Sequence, residues 1–175
     1  MKLINIEKIK EAREKLNGII AYNRLAFAPR LSKIANAKVF LKKENLQLTG
    51  AFKIRGAFNK LSSLKQEDEK NGTNILNRGV ICSSAGNHAQ GVAFSSRHFG
   101  VRAVIVMPES TPLLKVSGTI EMGAEVVLAG NNYDEAYAEA LKIAKEQNLN
   151  FIHPFADTDV IAGQGTIALE MIEEE

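Results

Sequence analysis

Tryptophan is absent, and only eight Phe and three Tyr occur. A stacking surface for nucleic acid needs aromatic platforms set among clustered basic residues, so that class of partner is excluded. Charge of one sign is equally scarce: 22 Lys and Arg face 20 Asp and Glu, for a formal charge of +2. The single cysteine, Cys82, cannot form an internal disulfide, which points to a reducing cytoplasm. Cys82 lies in an apolar run and reads as a small core residue rather than a nucleophile. No apolar run reaches the roughly 18 residues of a membrane span. The N-terminus leads into charged residues instead of the apolar stretch of a signal peptide. His88, His98 and His153 with one cysteine give no metal-ligand spacing, so no metal centre is expected.

What remains is an ordinary globular composition: 175 residues, 45% hydrophobic and 24% charged. A chain of this length buries roughly 70% of its unfolded surface and needs no staples. Residues 3 to 16 carry a loosely helical apolar pattern, ended by Gly18, and Pro29 reads as part of a connecting loop. Short β-branched runs then alternate with helical patterns. The strand candidates are 38–42, 79–82, 102–107, 125–129 and 150–152; the helical candidates are 53–64, 88–99, 112–122, 133–147 and 158–174. Such alternation implies right-handed crossovers and a parallel sheet, an α/β fold. The last helical pattern ends in Glu173-Glu174-Glu175, where the helix dipole favours cations. That ending reads either as a solvated tail or as the edge of a longer protein.

Ligands of α/β sheets sit beyond the carboxyl ends of the strands, which selects 44–56, 83–91 and 107–112. Gly86 and Gly91 have the spacing of P-loop glycines, but Val92 and Ala93 stand where Lys and Ser/Thr are required. No GxGxxG follows a strand, so nucleotide hydrolysis and dinucleotide binding fit poorly. Lys53 falls at the start of a helix, beside Phe52 and among small residues. The positive helix end lowers a lysine's pKa there, and a neutral, positioned amine can condense with a carbonyl. The plainer reading is a solvated lysine; Arg55 and Lys60 read as surface cover. Ser83 to His88 opens another helix, with small residues that let backbone N–H groups meet an anion such as a carboxylate. Alone, this stretch also reads as a Ser/Asn cap and His88 as a structural histidine.

Taken together and in order, these stretches carry a resemblance. Thr49-Gly50-Ala51-Phe52-Lys53-Ile54-Arg55-Gly56-Ala57 resembles the pyridoxal-phosphate lysine motif of the serine/threonine dehydratases. Ser84-Ala85-Gly86-Asn87-His88-Ala89-Gln90-Gly91 is similar to that family's substrate-carboxylate loop. Val106-Met107-Pro108, Thr111-Pro112 with Lys115, Gly123 to Val126 and Val160 to Thr166 match as well, so the likeness runs from about Asn23 to Glu170.

The resemblance implies a fold of type II among the pyridoxal enzymes, with three-layer parallel sheets like tryptophan synthase β. It implies that residues 51–150 form a small domain, and that 1–50 and 151–175 belong to a discontinuous large one. It implies pyridoxal 5'-phosphate as cofactor, held by Lys53, flanked by Phe52 and hydrogen-bonded by Asn87. Ser84, Ala85, Gly86, Asn87 and His88 would hold the carboxylate of an amino-acid substrate. The implied reaction dehydrates and deaminates threonine, and serine, to 2-oxobutanoate, pyruvate and ammonia, including the threonine step of isoleucine biosynthesis. The intact relatives are homo-oligomers, and the chain is expected to be their N-terminal half, either acting with the remainder or non-catalytic alone. Serine racemases of the family carry a second serine where Ala85 stands. Alanine cannot transfer a proton, which favours a dehydratase. Ala51, where many relatives have serine, keeps the small size the position needs.

Overall fold

The computed structural model describes residues 4–174, so Leu3 of the expected first helix and Glu175 of the acidic ending lie outside the described residues. The chain runs α1 (Ile6–Leu16), β1 (Ala26–Phe27), α2 (Pro29–Ala35), β2 (Phe40–Leu41), α3 (Lys53–Asn71), β3 (Val80–Ser83), α4 (Asn87–Phe99), β4 (Ala103–Met107), α5 (Leu113–Glu121), β5 (Glu125–Leu128), α6 (Tyr133–Glu146), β6 (Asn150–Phe151) and α7 (Thr158–Glu173). Four strands form one parallel sheet in the order β5-β4-β3-β6.

Both faces of that sheet are covered, which is why its strands are apolar without alternation. Val80, Cys82, Ala103, Ile105 and Met107 face Ala57 and Leu61 of α3 and Val92 of α4. Ile81, Val104 and Val106 face Ala136, Ala140 and Ile143 of α6. Cys82 is a core residue as expected; burial pushes its thiol far above the ordinary value, away from thiolate chemistry.

The first 50 residues depart from the expectation. Residues 38–42 contribute no strand to the parallel sheet; Phe40 and Leu41 pair antiparallel with Phe27 and Ala26. Pro29 is not in a loop but opens α2, where a missing N–H costs nothing.

Arg55 and Lys60 are not surface cover. The Arg55 guanidinium has no exposure and donates to Glu44 (2.8 and 2.9 Å), Glu170 (2.6 and 2.9 Å) and the Thr166 hydroxyl (2.9 Å). Lys60 pairs with Asp157 and Asp159 at 2.9 and 3.2 Å. The acidic ending, as far as Glu174, is not a solvated tail. Glu170 is buried and also meets Lys42 at 2.9 Å; Glu174 accepts from Lys42 (3.0 Å) and the Leu25 N–H (2.7 Å). Glu173 pairs with Arg13 of α1. These carboxylates are bound by cations from the N-terminal 50 residues, which outweighs an unfavourable helix dipole.

α7 crosses α3 where Gly163 meets Gly56. A Cβ on Gly163 would lie 2.5 Å from the Arg55 carbonyl oxygen and 2.7 Å from the Gly56 Cα. Backbone cannot yield there, so only glycine fits. Gly163→Ala is therefore expected to cost about 1–3 kcal/mol through overpacking. Arg55→Leu removes the guanidinium from the buried Glu170, which keeps only Lys42, and from the partly buried Glu44, and is expected to cost about 3 kcal/mol. Urea unfolding followed by circular dichroism measures both, and a leucine variant as stable as the parent would refute the network's role.

Candidate active site

The carboxyl ends of β3 and β6 open toward the start of α3, and there the chain gathers its unusual groups. Lys53 is the first residue of α3, half-buried, with Phe52 exposed just before it and its amine 5.5 Å from the Phe52 ring centroid. Its Nζ donates to the Pro154 carbonyl at 2.8 Å, and among the described residues no carboxylate pairs with it. Burial lowers its pKa from the ordinary lysine value, and the positive helix end acts in the same direction. Lys53 is thus a positioned amine and not a solvated surface lysine.

Its backbone is fixed from the α4 side. A Cβ on Gly91 would stand 3.1 Å from the Lys53 carbonyl carbon and oxygen and from the Ile54 nitrogen. Glycine lets α4 approach the residue that bears the amine.

α4 begins without a side-chain cap. Gly86 occupies the cap position, and no side chain accepts from the first turn, whereas Asn5, Asn132 and Asp157 cap α1, α6 and α7. The alternative reading of this stretch as a Ser/Asn cap therefore fails. The Ser84 hydroxyl instead accepts from the Gly86 N–H at 3.2 Å, within the loop. Ser84, Ala85 and Gly86 are half-buried and Asn87 is exposed, so this helix start is open to a ligand.

His88 points inward. It is 3% exposed, and its Nε2 lies 2.9 Å from the Ile152 carbonyl; a carbonyl only accepts, so Nε2 carries the proton. Its pKa is pushed down to about 4, chiefly by burial, against the Ile152 hydrogen bond and with the positive charges of Lys53 and His153 adding to the fall. The ring is neutral at pH 7, and Nδ1 is buried without a protein partner, as is the Ser83 hydroxyl.

Lys53, His88 and the α4 start thus converge, as the sequence suggests. The 107–112 turn is tied instead to β5 through the Glu109 N–H and the Gly130 carbonyl (2.8 Å). The groups the sequence reading did not assign to the site are the Ile152 and Pro154 carbonyls, which receive the His88 and Lys53 donors. The signal was available, because they end and follow a strand candidate at the ligand-binding edge of the sheet. A cleft of about 530 Å³ also opens beside α1, lined by Arg13, Leu16, Tyr22 and Glu170, and shares none of these residues.

The donor set suits one kind of group. An amine free of any carboxylate can condense with an aldehyde, and uncapped N–H groups can take an anion. A family model described as pyridoxal-phosphate dependent enzyme matches residues 16–175. L-threonine ammonia-lyase of Thermotoga maritima is 48% identical over 172 residues, covering 98% of this chain and 41% of that protein. The catabolic L-threonine dehydratase of Escherichia coli is 43% identical over 171 residues, covering 98% and 50%. Among solved structures, the processed form of threonine deaminase isoform 2 from Solanum lycopersicum superposes with a TM-score of 0.85 at 34% identity, over 98% of this chain and 47% of that one. A pyridoxal 5'-phosphate-dependent aspartate racemase gives 0.89 at 32% identity, over 100% and 53%. The chain therefore spans about two fifths to a half of the length of these two curated relatives. With the lysine-bearing helix, the open start of α4 and the parallel sheet all lying inside the matched span, the chain belongs to the pyridoxal-phosphate dependent enzymes.

Proposed function

We propose that this chain supplies the lysine-bearing face of a threonine dehydratase, which releases ammonia from L-threonine, and from L-serine, to give 2-oxobutanoate and pyruvate, the water lost in the dehydration being returned by hydrolysis. The observation that carries this reading is the Lys53 amine: half-buried, lowered in pKa, and held on a carbonyl with no carboxylate to keep it charged. Pyridoxal phosphate, when bound, supplies the electron sink that makes the substrate Cα–H acidic and the β-hydroxyl a leaving group.

The residues have separate tasks. Lys53 would hold the cofactor and later accept the Cα proton on Nζ, and its lowered pKa favours the neutral amine that both tasks need. Phe52, exposed beside the amine, would cover one side of the cofactor. Asn87, exposed at the first position of α4, would hydrogen-bond the cofactor's ring. Backbone N–H groups from Ser84 to His88 would hold the substrate carboxylate at the positive helix end. His88 stays neutral and so adds no second cation beside the amine.

A racemase is the second reading, and Ala85 bears on it. Ala85 sits half-buried in the carboxylate loop with a methyl group only, so it cannot deliver a proton to the opposite face of Cα. Residues 51–150, built on the parallel sheet, are read as the small domain. The 1–50 and 151–175 segments, joined through Lys42, Arg13, Glu170 and Glu174, are read as part of a large one. Among the described residues no helix is long and apolar enough to cross a membrane.

Incubation of the chain with pyridoxal phosphate, borohydride reduction and peptide mass mapping is expected to give a single adduct on Lys53. Lys53→Ala should lose it, while label scattered over many lysines would overturn the assignment. The pH dependence has a definite sign: a lowered pKa leaves more neutral amine at any given pH. Adduct formation at Lys53 should therefore reach half its maximum at lower pH than at the solvated lysines. Holoenzyme given L-serine should release pyruvate without D-serine on chiral chromatography, and efficient D-serine formation would favour the racemase.

A further inference from the structure

The carbonyl that receives the Lys53 amine belongs to a turn with an unusual lock. Among the described residues no backbone–backbone hydrogen bond closes residues 153–156. The His153 ring does so instead: its Nδ1 accepts from the Phe155 N–H at 3.2 Å and from the Ala156 N–H at 2.8 Å. Two donors on one nitrogen require a lone pair there, so the ring proton sits on Nε2. The ring packs edge-on against Phe155, with centroids 4.6 Å apart, which holds it over the turn.

Both flanks of the turn are anchored independently. Before it, the Ile152 N–H donates to the Ile81 carbonyl at 2.8 Å, and the Ile152 carbonyl accepts from His88. After it, the Asp157 carboxylate caps α7 through the Asp159 and Val160 N–H groups and pairs with Lys60. Pro154 lies between these anchors, with a fixed φ and no N–H of its own. What sets the direction of its carbonyl is the pair of bonds to His153.

We propose that His153 is a positioning residue for Lys53: its unprotonated Nδ1 closes the 153–156 turn and thereby aims the Pro154 carbonyl at the lysine amine. This rests on the reading of Lys53 as the functional amine. The carbonyl takes one N–H of the amine and leaves the nitrogen able to lose its charge, which a carboxylate in the same place would oppose. The amine is held in place without being held as a cation.

The arrangement carries a pH dependence. The groups facing His153 are Asp157 at the start of α7, Lys53 on α3, His88 on α4 and Tyr137 on α6, whose ring centroid is 6.0 Å away. Lys60, paired with Asp157, is the next charge out. Burial lowers the His153 pKa from the ordinary histidine value, with Asp157 acting the other way. A lowered histidine favours the neutral form, so the lock is intact near pH 7 and is lost as pH falls through the lowered value. A proton on Nδ1 would face two N–H groups and open the turn.

The test uses the chain with and without two substitutions. His153→Asn keeps an acceptor at the same reach, since Asn Oδ1 also caps N–H groups two and three residues on, and it does not titrate. His153→Phe keeps the ring and its packing but has no acceptor. Trace labelling with acetic anhydride, read by mass mapping, gives the reactivity of Lys53 relative to the solvated lysines as a function of pH. The parent should show a high ratio at pH 8 that drops in acid, as pH falls through the lowered His153 value. His153→Asn should keep the high ratio and lose the acid drop, and His153→Phe should lower the ratio at pH 8 by about threefold or more. An unchanged ratio in the phenylalanine variant, or an equal fall in both variants, overturns the proposal. Nitrogen-15 spectra of the parent's histidines provide a readout independent of variant folding, because a proton on Nδ1 of His153 also overturns it. The reagent is not the cofactor. Failure of pyridoxal phosphate to select Lys53 in the parent would therefore sink the functional reading and leave this contrast intact.

Discussion

A guanidinium without solvent must be surrounded by carboxylates, and Arg55 draws its two from opposite ends of the sequence. Glu44 comes from the segment before α3, and Glu170 from the last turns of α7. Glu170 in turn binds Lys42, and Glu174 binds Lys42 and the Leu25 N–H, so the N-terminal 50 residues are tied to α7 through charge. Desolvation alone would push Arg55 toward neutrality; the carboxylates more than reverse it and hold the guanidinium charged. Buried ion pairs of this kind contribute little net stability over an apolar equivalent but are costly to break. Their effect here is geometric. They fix α7 across α3 two residues from Lys53, and the Gly56–Gly163 contact then allows no other spacing.

That geometry explains why the amine meets a carbonyl. α7 is preceded directly by the 152–157 segment, so whatever places α7 on α3 also places Pro154 beside Lys53. α4 closes the other side, through Gly91 on the Lys53 backbone and His88 on the Ile152 carbonyl. The contrast between Arg55 and Lys53 on one helix is instructive. Arg55 is given carboxylates and stays charged as a structural group; Lys53 is given a neutral dipole and is left free to react.

Much of this was legible in the sequence. The central strands β3 and β4 appear as short apolar, β-branched runs because both faces of the sheet are covered there, although the same pattern also suggested a strand of this sheet at 38–42. Lys53 and the Ser84–His88 loop stood out through their order and their resemblance to the dehydratase motifs, since each alone also reads as a solvated lysine or a helix cap. The first 50 residues were harder to read. β1 and β2 are two residues each, too short for a period, and Pro29 serves a helix start as readily as a loop. Arg55 and Lys60 were misread because a charged residue on a helix is ordinarily solvated. Only the arrival of Glu44, Glu170, Asp157 and Asp159 from distant segments reverses that, and sequence spacing does not encode it. The turn that presents Pro154 escaped notice for a related reason: its lock is a histidine ring acting on backbone, a bond that leaves no motif.

The bases around Lys53 share one electrostatic condition. Burial lowers Lys53, His88 and His153 alike, and Lys53 and His153, when protonated, lower His88 further. A proton added to any one of them makes protonation of its neighbours more costly, so the neutral state of the cluster is collective. Of their hydrogen bonds, the one that requires a neutral ring is that of His153, which accepts on Nδ1; His88 donates from Nε2 and Lys53 donates one N–H, bonds that hold these groups in place. The Asp157 carboxylate, which faces His153, does not relieve this condition, because it is engaged by Lys60 and by the N–H groups of α7. Among the described residues no carboxylate pairs with the amine. The lowered basicity of Lys53 therefore goes with where the chain places its acidic residues as well as with the burial of the amine itself.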